Sequence, residues 1–251
     1  MKVCILSGRY PGTQFESTIN HKLYADKYSY SYIHCNYPTK AKNPYLNKIH
    51  YILSYIDLFD YIVWIDDDAF FLDFENDIMQ YLPDENVFMS ICRSPTFKKI
   101  KTFFSSGQFI LRCNKKSKRF LEDALEVNLV EVKSWWTKDL GYFSNGDQDI
   151  FIYLFLTQEI YMKKYKLFDY KAFNSRYENL FEKDIHKPLI IHFTGVPKIK
   201  KYNYIKTQQK LNLHASLVPL GWLENYKLHM RNSNFRLKKW RLKKLIKWFY
   251  R

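Results

Sequence analysis

The sequence has only four cysteines in 251 residues, Cys4, Cys35, Cys92 and Cys113, and no two of them form a CxxC pair. That spacing supplies neither a Cys/His metal site nor a disulfide framework. Three of the four lie in apolar stretches that read as strands or strand ends, as reduced core residues of a cytosolic protein do. Glycine is scarce, at seven residues, and no Gly-rich phosphate loop is present. No uncharged run reaches the length of a membrane span. The chain opens with a strand-like Met1-Lys2-Val3-Cys4-Ile5-Leu6 and has no long apolar h-region, so no signal peptide is expected. Internal repeats and low-complexity linkers are also missing. What remains is one α/β domain, or one domain with a short appendage, made in the cytosol and expected to stay there.

Aromatic residues, by contrast, are plentiful at 19%, with 21 Tyr and 20 Phe. Tyrosine joins apolar area to a hydroxyl and suits sugar or membrane-interface surfaces, although compositional drift would also produce it. The net charge is +15, and nine of the 40 basic residues fall within 231–251, a stretch with no acid. The basicity is therefore largely local. In that tail Leu242, Leu245, Ile246 and Phe249 recur at i, i+3, i+4 and i+7, which aligns them on one helical face among the cations. A basic helix edged with Trp240, Trp248 and Tyr250 suits an anionic membrane surface; a nucleic-acid patch or a helix docked on the protein's own body are the alternatives. A boundary is placed so that residues 1–232 form the main domain and 233–251 a membrane-associating segment.

Residues 2–6 read as a first strand, 15–26 as a helix and 30–34 as a second strand. Apolar residues at helical spacing make 45–58 an amphipathic helix, and the apolar run 61–65 is a third strand. Strand, helix, strand, helix, strand favours a mostly parallel sheet flanked by helices. Further strands are expected at 87–92, 108–113 and 189–193, and helices at 117–129 and 150–156. Beyond Val196 the chain reads as polar and basic.

The third strand stops in Asp66-Asp67-Asp68. Carboxylates at the C-terminal end of a buried strand reach the crevice where open α/β sheets bind ligands. Such a cluster repels itself unless a cation compensates it, and a divalent metal does so while bridging to a diphosphate. Alternation puts Asp66 and Asp68 on one side and turns Asp67 away. A solvated acidic turn is the plain alternative. Later, Ile190-Ile191-His192-Phe193-Thr194-Gly195-Val196-Pro197-Lys198 places His192 at a strand end, where an imidazole can join two carboxylates around Mn²⁺. Gly195 allows close backbone approach, and Lys198 can neutralise a phosphate. In Asn145-Gly146-Asp147-Gln148-Asp149, Asp147 can cap the helix that follows, while a second carboxylate and an amide suit sugar hydroxyls. Ser105-Ser106-Gly107 leads into the strand containing Gln108.

This order of motifs (strand–DxDA, SxG before a strand, DQD, then HxxGxxK) resembles retaining glycosyltransferases of the GT-A fold. Family 8, the galactosyl- and glucosyltransferases that act on lipopolysaccharide, is most similar, with family 34 close behind through its WxDxDA pattern. The resemblance implies Asp66, Asp68 and His192 as ligands of Mn²⁺ or Mg²⁺ and Lys198 as a donor diphosphate contact, with Gly195 and Asp67 also among the donor-binding residues. It implies Gln148 near the reacting anomeric carbon, with Asp147 and Asp149 flanking the sugar, and Lys48 as a basic donor contact. Tyr10 would stack on uracil, and Asn174 matches an Asn downstream of DQD. The sequence departs from family 8 at Ser7, usually an acid, at Ser106, usually Asn or Asp, and after Lys198, where the familiar Pro-Trp is missing.

The expected activity is transfer of a hexose from a UDP-sugar to a glycolipid or cell-surface oligosaccharide, with retention, by a protein on the inner face of the membrane and with no specific nucleic-acid partner. An inverting enzyme would need a carboxylate base, for which Asp149 is the candidate. A metal-dependent nucleotidyltransferase or phosphohydrolase could use the same aspartates, but further metal carboxylates or a phosphate loop would accompany them. A non-enzymatic membrane or nucleic-acid binder would explain the tail and leave the motifs as coincidences.

Overall fold

Cys4, Ile5 and Leu6 are all fully buried, so the first strand, Val3–Gly8 (β1), has no solvent face and needs cover on both sides. The computed structural model, which describes residues 1–12, 15–96, 101–182 and 187–225, supplies that cover. Ser31–Cys35 (β2) and Tyr61–Ile65 (β3) flank β1 in parallel. Gly8 permits the close approach to β2, because a Cβ there would lie 2.5 Å from the Cys35 carbonyl oxygen. With Met89–Cys92 (β5), Ser105–Arg112 (β6) and Tyr165–Phe168 (β7), the sheet runs β2-β1-β3-β6-β5-β7, and only β6 is antiparallel. A second, two-stranded sheet pairs Ala69–Phe71 (β4) with Ile190–His192 (β8).

Helices cover both faces. Asn47–Tyr55 (α2), Lys115–Glu126 (α3) and Asp147–Thr157 (α5) pack on one side, where Phe120 meets Phe88, Phe151, Phe155 and Tyr161. Ser17–Lys27 (α1) and the small sheet close the other, where Tyr24 stacks on Phe71 at 3.5 Å. The latch between α1 and β4 is polar: Asn20 donates to the Phe71 carbonyl and accepts from its N–H, both at 2.8 Å, and His21 Nε2 meets the Ala69 carbonyl at 2.8 Å. These side chains complete the outer edge of β4 as a neighbouring strand would.

Several expected elements shift. The helix expected over 45–58 is α2 with short 3₁₀ turns at Pro44–Leu46 and Ile56–Leu58. The one expected over 117–129 breaks at Val127, because the Asn128 side chain accepts from the Val130 N–H and starts a new helix, Leu129–Trp135 (α4). β6 begins three residues earlier than expected. The polar chain beyond Val196 is in fact a helix, Pro197–Lys210 (α7), with proline in its first turn. Short helices Tyr170–Phe173 (α6) and Leu220–Asn225 (α8) complete the described chain. Among the described residues no helix is long and apolar enough to cross a membrane. The basic segment 233–251, and its boundary with the main domain, lie outside the described residues.

Candidate active site

β3 delivers its aspartates at the C-terminal edge of the parallel sheet. Asp66 lies opposite Gly107 of β6, bonded through its N–H to the Gly107 carbonyl at 2.8 Å, and its Oδ1 accepts from Trp64 Nε1 at 2.7 Å. Asp67 points the other way and pairs with Arg9, just beyond β1, at 3.3 Å. The chain then turns into β4, where the register sets Ala69 opposite His192. Asp68 and His192 thereby meet, with Oδ1 3.1 Å from Nε2. Donor atoms of Asp66, Asp68 and His192 all lie within 4.8 Å of one another.

The protonation of that pair follows from its surroundings. Asn174 Nδ2 donates to the Arg93 carbonyl at 2.9 Å, and its Oδ1 accepts from Arg176 Nη1 at 2.5 Å. The amide oxygen therefore faces His192 Nδ1, at 3.4 Å, so Nδ1 is the nitrogen that carries the proton. Burial, with Arg176 nearby, pushes the His192 pKa down, against the pull of Asp68. Nε2 lies against Asp68 Oδ1, a buried oxygen with no hydrogen-bond partner. Burial opposes ionisation of Asp68, yet His192 and Lys200 hold its carboxyl well below the usual range. These two atoms at 3.1 Å, with Asp66 beside them, form a donor set that suits a divalent cation. Gly107 makes room for it: a Cβ there would lie 2.4 Å from His192 Cε1 and 3.2 Å from Asp66 Oδ2.

Next to this cluster Lys48 is buried against carboxylates from two directions. Its Nζ donates to Asp147 Oδ2 at 2.8 Å and to the Ser106 carbonyl at 2.8 Å, and lies 3.3 Å from Asp66 Oδ1. Burial would lower the lysine pKa, but Asp147 and Asp66 raise it, so the ammonium is kept charged. Burial raises Asp147, and Lys48 counters that rise. Lys48 thus ties the DQD helix to the DxD strand.

Asp147 does not cap α5, which sets aside the helix-cap alternative for that carboxylate. Gly146 is the N-cap, and Asp149, in the third helical position, reaches back. Its Oδ2 accepts from Ser144 Oγ at 2.9 Å, the Asn145 N–H at 2.5 Å and the Gly146 N–H at 3.3 Å. Burial lifts its pKa to about 6 in spite of those donors. Gln148 stands half-buried between the two acids. Gly195 has φ of +95°, a backbone conformation that favours glycine, and Lys198 is exposed in the first turn of α7. Tyr10 is 40% exposed beyond the end of β1. Ser7 is fully buried one residue before Gly8.

Three site residues were missed by the sequence reading: Arg9, Arg176 and Lys200. Lys200, rather than Lys198, pairs with Asp68 Oδ2. Arg176 stays charged although burial lowers its pKa to about 10. A basic residue two positions after Asn174 and the Ile199-Lys200 departure after Lys198 were the available signals, and neither specified a partner.

The family described as nucleotide-diphospho-sugar transferase matches residues 39–205, a span that includes all three candidate metal ligands. No curated protein matches by sequence. A glycosyltransferase involved in the glycosylation of the major capsid of PBCV-1 is similar in structure, with a TM-score of 0.58 at 12% identity over 82% of this chain and 100% of that one. The glycosyltransferase GlyE of Streptococcus pneumoniae TIGR4 aligns with a TM-score of 0.52 at 13% identity, over 90% of this chain and 64% of that one. At these identities the two structures establish the shared GT-A fold.

Proposed function

Because the chain belongs to the nucleotide-diphospho-sugar transferase family and is therefore a glycosyltransferase, we propose that it moves a hexose from a UDP-sugar in a metal-dependent, retaining reaction. The acceptor in this reading is a hydroxyl of a glycolipid or cell-surface oligosaccharide. The observation that carries it is the meeting of Asp68 Oδ1 with His192 Nε2, with Asp66 alongside.

Asp66, Asp68 and His192 would hold Mn²⁺ or Mg²⁺, which when bound supplies Lewis-acid stabilisation to the departing diphosphate. The remaining work belongs to the chain. Lys48 holds the Asp147 carboxyl in place beside the metal-site residues, so that it can orient a sugar hydroxyl. Gln148, next to it on the same helix end, supports the developing positive charge of the sugar, and the acceptor attacks from the leaving-group side. Asp149 is spent on the turn before α5, and that argues for retention over an inverting route with Asp149 as base. Lys198 and Gly195 form the loop that takes the phosphates, and Tyr10 stacks on the base. The basic segment 233–251 holds the enzyme at the inner membrane face, where a lipid-linked acceptor would be found.

Calorimetric titration of the purified protein with UDP, with and without Mn²⁺ and with Asp68→Asn beside the wild type, tests the donor site. Binding that needs both the metal and Asp68 supports the reading, whereas UDP that binds equally well without either one refutes the metal dependence. Deleting 231–251 should abolish sedimentation with anionic vesicles and spare hydrolysis of the soluble donor.

A further inference from the structure

The Asp68 carboxylate faces His192 through Oδ1, which has no hydrogen-bond partner, and is paired with Lys200 through Oδ2. A divalent cation held by Asp66, Asp68 and His192 brings two positive charges to that carboxylate. An ammonium on the same carboxylate is then repelled by a like charge at close range. His192 is fixed by Asn174 and by the Gly107 cradle, so the partner able to leave is Lys200.

The backbone of α7 need not move for this. Tyr204, one turn further along, packs among Phe15, Phe70 and Phe193, and Asn203 Nδ2 reaches Glu178 Oε1 at 3.5 Å. Helix α7 is thus anchored, while the Lys200 side chain is 20% exposed on a flexible four-carbon stem. Released from Asp68, the ammonium remains beside the cluster and one turn from the start of α7, whose unpaired N–H groups favour anions. Lys198, two positions earlier, is roughly 200° away around the helix and exposed.

We propose that Lys200 is an exchangeable cation: it neutralises Asp68 until the metal displaces it, and it then pairs with the diphosphate of the donor. Lys200 therefore opposes metal binding in the free protein and favours nucleotide binding once the metal is in place. This rests on the donor-site reading above and adds to it a residue and an order of events, metal first and nucleotide second.

The test measures two affinities on the full chain: Mn²⁺ without nucleotide, then UDP at saturating Mn²⁺. Lys200→Met keeps the apolar stem and removes the charge. It is expected to bind Mn²⁺ about tenfold more tightly and UDP about tenfold more weakly, each a change of ~1.4 kcal/mol. Lys200→Arg should return UDP binding most of the way to wild type. Lys201→Ala, an equal loss of charge on the exposed neighbour, should leave Mn²⁺ affinity unchanged. A residue that merely supports the fold would weaken both affinities. Any pattern in Lys200→Met other than opposite signs overturns the proposal. If the wild-type chain binds both ligands while the variant moves them together, the Lys200 inference falls alone. A wild-type chain that binds neither Mn²⁺ nor UDP sinks the donor-site reading and the inference with it.

Discussion

The molecule carries the pattern Asp-x-Asp twice, and its two copies end differently. In the tight turn between β3 and β4, closed by the Ala69 N–H on the Asp66 carbonyl at 3.0 Å, Asp66 and Asp68 both come to His192 while the middle Asp67 turns to Arg9. At the start of α5 the same spacing corresponds to roughly 200° around a helix. Asp147 faces Lys48 and the site, and Asp149 folds back onto its own turn. The same spacing therefore makes a candidate ligand pair only where the backbone beneath it brings both carboxylates to one side.

The strongest way to break this comparison is Asp68→Asn. Replacing one half of the strand-borne pair should weaken Mn²⁺-dependent UDP binding by about 100-fold or more, measured calorimetrically, since even supporting groups of a metal site are worth 10–100-fold. Asp149→Asn should leave that affinity within about threefold. Comparable losses in both variants would mean that the helix-borne pair acts as a unit too. Asp147→Asn comes next. It leaves buried Lys48 with only the half-exposed Asp66 as a charged partner, and urea denaturation should show a loss of about 2 kcal/mol, below the usual cost of orphaning a buried charge because that second partner remains.

Gly107→Ala probes the strand side without touching a ligand. Its Cβ would press on the His192 ring, so Mn²⁺ affinity should fall about tenfold while circular dichroism stays as in wild type. An unchanged affinity would show that the ring can yield. The smallest effect is a pH dependence. Asp149 has a folded-state pKa of about 6, above the ordinary carboxylate value of 3.8. A raised pKa means that the folded state prefers the protonated form. Its stabilising contribution is therefore complete below pH 3.8 and lost as pH rises through about 6. The difference in melting temperature between wild type and Asp149→Asn should shift across that window and be flat above it. A difference that is constant from pH 4 to pH 8 would remove the burial argument.

The aspartate motif was legible because three carboxylates closing an apolar strand call for a compensating cation; the alternation expected for Asp66 and Asp68 is instead realised by a turn, closed from the Ala69 N–H to the Asp66 carbonyl. The parallel β1–β3 core was legible for a related reason, since its strands are apolar on both faces. Helix α7 was not: its buried residues are Asn203, Thr207 and Gln208, so no apolar period marks the inward face. β4 is only Ala69–Phe71, and in sequence it reads as the end of the aspartate motif rather than as a strand. The break between α3 and α4 depends on the side chain of one Asn that caps instead of continuing a helix. Arg176 and Lys200 were missed because a surface-type residue acquires its role only from partners far away in the chain.

That last distance bears on how the molecule comes into being. Asp68 and Lys200 are 132 positions apart, and the pairing of β4 with β8 joins the first third of the chain to the last. During synthesis the sheet edge that carries the aspartates emerges long before the strand that carries His192. The small sheet is then among the contacts of highest sequence separation, and such contacts close late. A bound cation would stabilise that closing step specifically, because it links the early segment to the late one. Cells short of the metal would then accumulate chains whose β1–β3 core is formed and whose last third is unsecured, a vulnerability to proteolysis that arises before any substrate is met.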